Sequence, residues 1–219
     1  MIKIEPFSSN PDWINMAAFC SDTTVLGPGH RSVVWVQGCP FKCKGCLAPE
    51  WLSMKTNQIT SVSYLAEKIS TNSIITGITF SGGEPMLQAR PLARLIHLVR
   101  QIRSVNLICF TGFTLDQLEK LSPTTGVFDL LNEIDVLIDG QYIEAENDGI
   151  GLRGSANQKI HYFTDQLKNF NLNRYPRRSE IHLTQSDALV VGVPPFGLLS
   201  EMDLVINRVR GKKLLEVRR

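Results

Sequence analysis

Cys39, Cys43 and Cys46 stand at Cys-x3-Cys-x2-Cys spacing in Gly38-Cys39-Pro40-Phe41-Lys42-Cys43-Lys44-Gly45-Cys46, directly after the apolar run Val33-Val34-Trp35-Val36. Thiolates this close together are a metal-binding set. A cubane of four irons and four sulfides normally takes four cysteine thiolates, one per iron. Three on one short loop would leave one iron without a protein ligand, and an open coordination position marks catalytic rather than structural metal sites. The competing reading is zinc, with His30 completing a tetrahedral set of three cysteines and one histidine. A plain electron carrier fits less well, because ferredoxins use a fourth thiolate. Cys20 and Cys109 are remote in sequence, and both read as buried small hydrophobes.

The elements that must position this loop alternate in type. Val62, Leu65, Ala66 and Ile69 recur at helical spacing after the capping pair Thr60-Ser61. Ile78-Thr79-Phe80 reads as a buried strand ending in Ser81-Gly82-Gly83-Glu84-Pro85. Leu92, Leu95, Ile96, Val99 and Ile102 form the stripe of a second helix. A strand over Val105 to Phe110 ends in Thr111-Gly112, and Thr114 with Gln117 makes a capping box. Ile134 to Ile138 is the next strand, closed by Asp139-Gly140. This order predicts a parallel sheet covered by helices. Four strand units are fewer than the eight of a full barrel, which takes about 250 residues. The expected fold is therefore α/β, an incomplete (β/α) barrel or open curved sheet. Ligands of parallel sheets bind at the carboxyl ends of the strands, so the four polar loops converge on one mouth. Beyond Asp139 the pattern loosens. A hairpin is predicted from Ile181-His182-Leu183 and Ala188 to Val191 across Thr184 to Asp187. After Pro194-Pro195 a short helix is expected through Leu198, Leu199, Met202 and Val205.

Composition narrows the function classes. With 219 residues, 43% hydrophobic, the chain can bury one ordinary core. A formal charge of +2 argues against a nucleic-acid partner. The basic stretch Arg208, Arg210, Lys212, Lys213, Arg218 and Arg219 reads as a solvated tail. The opening Met1-Ile2-Lys3-Ile4-Glu5 is not a secretory signal, and no apolar run has membrane-spanning length. The expectation is a cytoplasmic protein whose thiols stay reduced and open to metal.

Taken in order, these segments resemble the radical S-adenosylmethionine (SAM) superfamily, and within it the activating enzymes of glycyl radical enzymes, above all the anaerobic ribonucleotide reductase type. The resemblance spans about residues 25 to 158. It rests on Gly27-Pro28-Gly29-His30-Arg31, the cysteine loop, Ser81 to Pro85, Thr111-Gly112-Phe113-Thr114, Ile134 to Gly140 and Arg153-Gly154-Ser155-Ala156-Asn157-Gln158. It implies a [4Fe-4S] cluster on Cys39, Cys43 and Cys46, with SAM chelating the open iron through its amino and carboxylate groups. Reductive cleavage of SAM would release a 5′-deoxyadenosyl radical that abstracts hydrogen from a backbone glycine of the partner. The cluster would sit toward the negative end of a range of about −700 to +450 mV, fed by a low-potential donor such as flavodoxin or ferredoxin.

The resemblance also implies roles for individual residues. Gly82 and Gly83 would let backbone approach the ligand closely, and Glu84 or polar groups beside it would hold the SAM amino group. Gly45 and Leu47 match positions facing adenine; Asp139, Gly140 and Gln141 match a segment near the ribose and methionine, and Thr111 is a further expected cofactor-binding residue. Arg153 and Asn157 lie where the partner should dock, or else fix their own loop. Two features depart from the pattern. Many relatives carry an aromatic before the last cysteine and asparagine two after it, where this chain has Gly45 and Ala48. Residues 159–219 extend past the usual end of the short reductase activases, giving an expected core of 1–158 and an extension of 159–219 packed on it. The alternative function is a radical SAM enzyme acting on a peptide or small molecule, and the cysteine-free extension counts against peptide maturases with auxiliary clusters.

Overall fold

A computed structural model describes residues 10–121, 123–183, 188–195, 197–198, 201–202 and 204. The strands are β1 (Trp13–Thr23), β2 (Arg31–Val36) and β3 (Gln58–Ser61), followed by helix α1 (Val62–Thr71) and strand β4 (Gly77–Gly82). Then come α2 (Ala89–Ile102), β5 (Asn106–Phe110), α3 (Leu115–Leu118), α4 (Val127–Glu133) and β6 (Val136–Asp139). Strands β7 (Lys159–Tyr162), β8 (Ser179–Leu183) and β9 (Ala188–Gly192) complete the order.

Seven strands form one sheet in the order β3-β1-β2-β4-β5-β6-β7, and β8 pairs with β9 in a second. The central strands β2, β4, β5 and β6 are mutually parallel, and they are the four strand units expected from the sequence. Antiparallel strands flank them on both sides. The fold is α/β with a mostly parallel centre, as expected, and the sheet stays open: no closed barrel forms among the described residues. The helix–strand alternation that would curl a sheet into a barrel stops at β6, where β7 returns antiparallel.

Strand side chains alternate between faces, and here the two faces have different covers. Val34, Val36, Ile78, Phe80, Leu107, Cys109 and Leu137 join a core with α1, α2 and α4. Val33, Trp35, Ile108, Val136 and Ile138 join a second core with Leu152, Leu167, Leu172, Val191 and Val193. Irregular chain and the β8–β9 hairpin thus cover the face that a barrel would leave inside.

Local sequence explains the helix starts. The Ser61 side chain accepts from Tyr64 N at the head of α1, and Thr114 and Gln117 complete the capping box of α3. In α2, Leu92, Leu95, Ile96 and Val99 are buried as the stripe requires, but Ile102 is 66% exposed at the helix end. At the amino edge of the sheet lies Arg31, fully buried, donating to Thr79 Oγ1, Asn106 Oδ1 and the carbonyls of Pro28 and Ile78. It ties the starts of β2, β4 and β5 together. The predicted hairpin forms, although its turn, residues 184–187, lies outside the described residues, as do the basic tail and Leu199 and Val205 of the helix expected after Pro195.

Candidate functional site

Because β2, β4, β5 and β6 are parallel, their carboxyl ends share one edge, and the cysteine loop, Ser81 to Glu84, Thr111-Gly112 and Gly140 all lie there. They border a cavity of about 430 Å³, within the usual range for small-molecule sites. Cys39, Cys43, Cys46 and Leu47 line it from the first loop. Gly82, Gly83, Glu84, Thr111 and Gly140 line it from the other three. Gly45, Asp139, Gln141, Arg153 and Asn157 are outside this lining.

The cysteine loop is held by main-chain bonds and by positive φ at two glycines. Gly38 (φ 95°) donates to Trp51 O at 2.9 Å, and Cys39 N to Leu52 O at 3.2 Å. Gly45 has φ 72°, and a Cβ there would come 2.8 Å from Glu144 Oε1. The backbone N–H groups of Phe41 and Tyr142 favour the thiolates of Cys39 and Cys43 respectively. Such donors are how proteins steady iron–sulfur thiolates and tune their potential. Burial pushes the Cys39 thiol up to about 12 despite its Phe41 donor, and burial also raises Cys43. Metal binding must therefore release these protons.

The remaining cysteines are elsewhere. Cys109 is fully buried on β5 among the helices. Cys20 lies on β1 in the opposite core, its sulfur 3.8 Å from His182 Nδ1. His30 precedes the amino end of β2, one strand-length from the cysteines, and pairs with Asp22 at 2.8 Å. It cannot complete a zinc site with them. Among the described residues no three His, Cys, Asp or Glu side chains converge as ligands of one ion; a cubane instead gives each thiolate a separate iron. Three thiols on one loop, two with main-chain donors, facing a cavity: the residues fit a cluster with one open iron.

The Gly-Gly-Glu turn packs directly against the start of the cysteine loop. Gly82 (φ 106°) and Gly83 are bare because the backbone of the cysteine loop passes there: added Cβ atoms would lie 2.5 Å from Val36 N and 2.3 Å from Gly38 O. Gly83 N donates to Val36 O and Glu84 N to Gly38 O. The Glu84 carboxylate, fully buried, accepts from Met86 N (2.9 Å), Thr111 Oγ1 (2.8 Å) and Gly112 N (2.7 Å). Burial lifts its carboxyl to about 7 even so. Asp139 likewise turns inward, accepting from Leu115 N at the head of α3 and from Lys159 N.

Arg153 pairs with Asp148 at 2.6 Å, and Asn157 Nδ2 donates to Gln141 O, so both fix their own loop. Gln158 links Gly140 O to the N–H groups of Gly154 and Ser155. Sequence reasoning missed Arg177, whose guanidinium gathers Asn147 Oδ1 and the carbonyls of Gly151, Arg153 and Gly154. It also missed the part β9 plays in the cavity wall. An arginine in an irregular polar stretch gives no periodic signal.

A family model described as a 4Fe-4S single cluster domain matches residues 25–161, over half the chain and the whole cysteine loop. The chain belongs to this family. Members similar to it include the anaerobic ribonucleoside-triphosphate reductase-activating protein of Vibrio cholerae, 35% identical over 149 residues, covering 64% of this chain and 92% of that protein. The protein of the same name from Haemophilus influenzae is 30% identical over 158 residues, 68% and 99% of the two chains. That from Escherichia coli K12 is 31% identical over 147 residues, 63% and 92%. The family match takes in β2 through β6, with every lining cysteine and every lining glycine except Gly192. Strands β8 and β9 are outside it. No helix among the described residues is long and apolar enough to cross a membrane.

Proposed function

We propose that this protein is a radical SAM activating enzyme that places a glycyl radical on an anaerobic ribonucleoside-triphosphate reductase. The observation that carries the reading is the meeting of Cys39, Cys43 and Cys46 with the Gly82-Gly83-Glu84 turn in one cavity, with no further thiol beside them. The names of the similar family members support the partner class. When bound, the cluster and SAM supply one-electron cleavage of the sulfonium and a 5′-deoxyadenosyl radical able to take hydrogen from a glycine Cα.

The chain's residues bind and orient. Cys39, Cys43 and Cys46 hold three irons, and Phe41 N–H and Tyr142 N–H steady two of the sulfurs. Glu84 keeps the turns after β4 and β5 in register, and its carboxylate borders the cavity, where it favours a cationic ligand. Leu47, Thr111 and Gly140 offer further contacts, while Gly45, Asp139 and Gln141 act through loop shape. Trp35, Trp51 and Phe110 give the cavity apolar walls that keep water from a reactive radical. We read residues 1–158 as the core, a partial barrel of the radical SAM type, with 159–219 packed on it, and a flavodoxin or ferredoxin as electron donor.

Anaerobic protein reconstituted with iron and sulfide, then mixed with SAM, reductant and reductase, should give a glycine-centred doublet in electron paramagnetic resonance. SAM cleavage without that doublet, alongside modification of another peptide or metabolite, would sink the activase reading.

A further inference from the structure

Strand β9 forms part of the cavity wall. Ala188, Leu189 and Val190 border the cavity in succession, followed by Gly192 and Val193, and no residue of β8 does. Neighbouring side chains of a strand point to opposite faces, so a cavity touching consecutive residues meets the strand edge-on. The partner of β9 is β8. The edge in the cavity is therefore the one away from β8. From Leu189 to Gly192, among the described residues, main-chain hydrogen bonds run only to β8.

Among the described residues this edge lacks the usual guards. Proteins protect exposed edges with lysine, proline, bulges or a covering segment. Ala188-Leu189-Val190-Val191-Gly192 carries no charge and no proline, and Pro194-Pro195 comes only after it. A short, apolar, unguarded edge is a template for one more strand.

We infer that β9 receives the glycine-bearing segment of the partner enzyme as an added β-strand, laid through the cavity beside the cysteine loop. The inference rests on the activase reading above. A glycine substrate has no side chain to grip, so recognition must use its main chain and the residues around it. Strand addition provides both, with main-chain bonds for alignment and sites for alternate side chains. Leu26, Trp35 and Trp51 supply apolar surface for those side chains.

The test uses the full chain and a short synthetic peptide copying the radical-glycine segment of an anaerobic ribonucleoside-triphosphate reductase. Two further versions carry N-methyl groups on one or the other alternating set of amides. Only alternate residues of an added strand donate to an edge. One set should therefore weaken binding by about tenfold or more, and the other should leave it nearly unchanged. Equal loss with both sets, loss with neither, or no binding of the unmodified peptide overturns strand addition. Hydrogen exchange gives a second readout: the peptide should slow exchange of the amides between Leu189 and Gly192. Slowing confined to other segments overturns the proposal. So does slowing that needs only a higher concentration of the protein, since a second copy would then occupy the edge. Formation of 5′-deoxyadenosine by cluster-loaded protein with SAM, reductant and no peptide reports separately on the parent reading. Its absence defeats the activase chemistry; its presence with the wrong methylation pattern defeats strand addition alone.

Discussion

Glu84 and Gly112 are joined by a 2.7 Å hydrogen bond from the glycine N–H to the carboxylate Oε2, which fastens the turn after β4 to the turn after β5. Thr111 Oγ1 and Met86 N donate to the other oxygen. Glu84→Ala would strand three donors in a buried place. We expect a loss of about 3 kcal/mol or more in urea unfolding of the cluster-free protein. Glu84→Gln, which keeps an acceptor, should lose less.

The same carboxyl gives a pH signature. Burial raises it from 4.5 to about 7, so the folded chain holds this proton more tightly than the unfolded chain. Stability from this group is fully present below pH 4.5 and is lost as pH rises towards about 7, levelling off above. Unfolding of the cluster-free protein between pH 5.5 and 8 should show the decline, and Glu84→Gln should flatten it. An unchanged slope in the variant would remove Glu84 as its source.

Cys43→Ala should lose the cluster's visible absorbance, most of its iron and all SAM cleavage, while Cys109→Ala keeps all three. Iron content and 5′-deoxyadenosine measured on the same anaerobic samples decide this. Full cleavage by the Cys43 variant would refute its assignment as a ligand.

Gly83→Ala places a methyl group 2.3 Å from Gly38 O, so the main chain entering the cysteine loop must shift. A destabilisation of about 1–3 kcal/mol is expected, with a slower or incomplete uptake of iron. Gly149→Ala, where a Cβ meets nothing within 4 Å but φ is 72°, should cost only backbone strain and leave iron uptake intact.

Arg177→Met leaves the carbonyls of Gly151, Arg153 and Gly154 without their shared donor. Hydrogen exchange across residues 144–158 should speed up, with about 2–4 kcal/mol lost from the protein. Arg177→Lys should not restore protection, because an ammonium cannot reach several carbonyls at once.

The parallel centre of the fold was legible because Ile78-Thr79-Phe80 and Ile134 to Ile138 are short apolar runs closed by glycine turns. The hairpin was legible from the runs around Ile181 and Val190. β1 was not, since Ala17-Ala18 and two register shifts blur its alternation. The short helix α4 has too few turns to show a period. At the site, spacing found the cysteines and the glycine turn, yet it could not say which way an acidic side chain turns. Glu84 and Asp139 both face inward to cap neighbouring backbone, which depends on loops brought together only by the sheet. Arg177 was invisible for the same reason.

β9 belongs to a much later part of the chain than the thiols it faces. On the ribosome the cysteine loop and the four parallel strands emerge while this wall is still missing. Delivery of iron and sulfide thus has an open approach during synthesis that narrows once the hairpin docks. Refolding the finished polypeptide first and loading it afterwards asks the metal to enter by the narrower way.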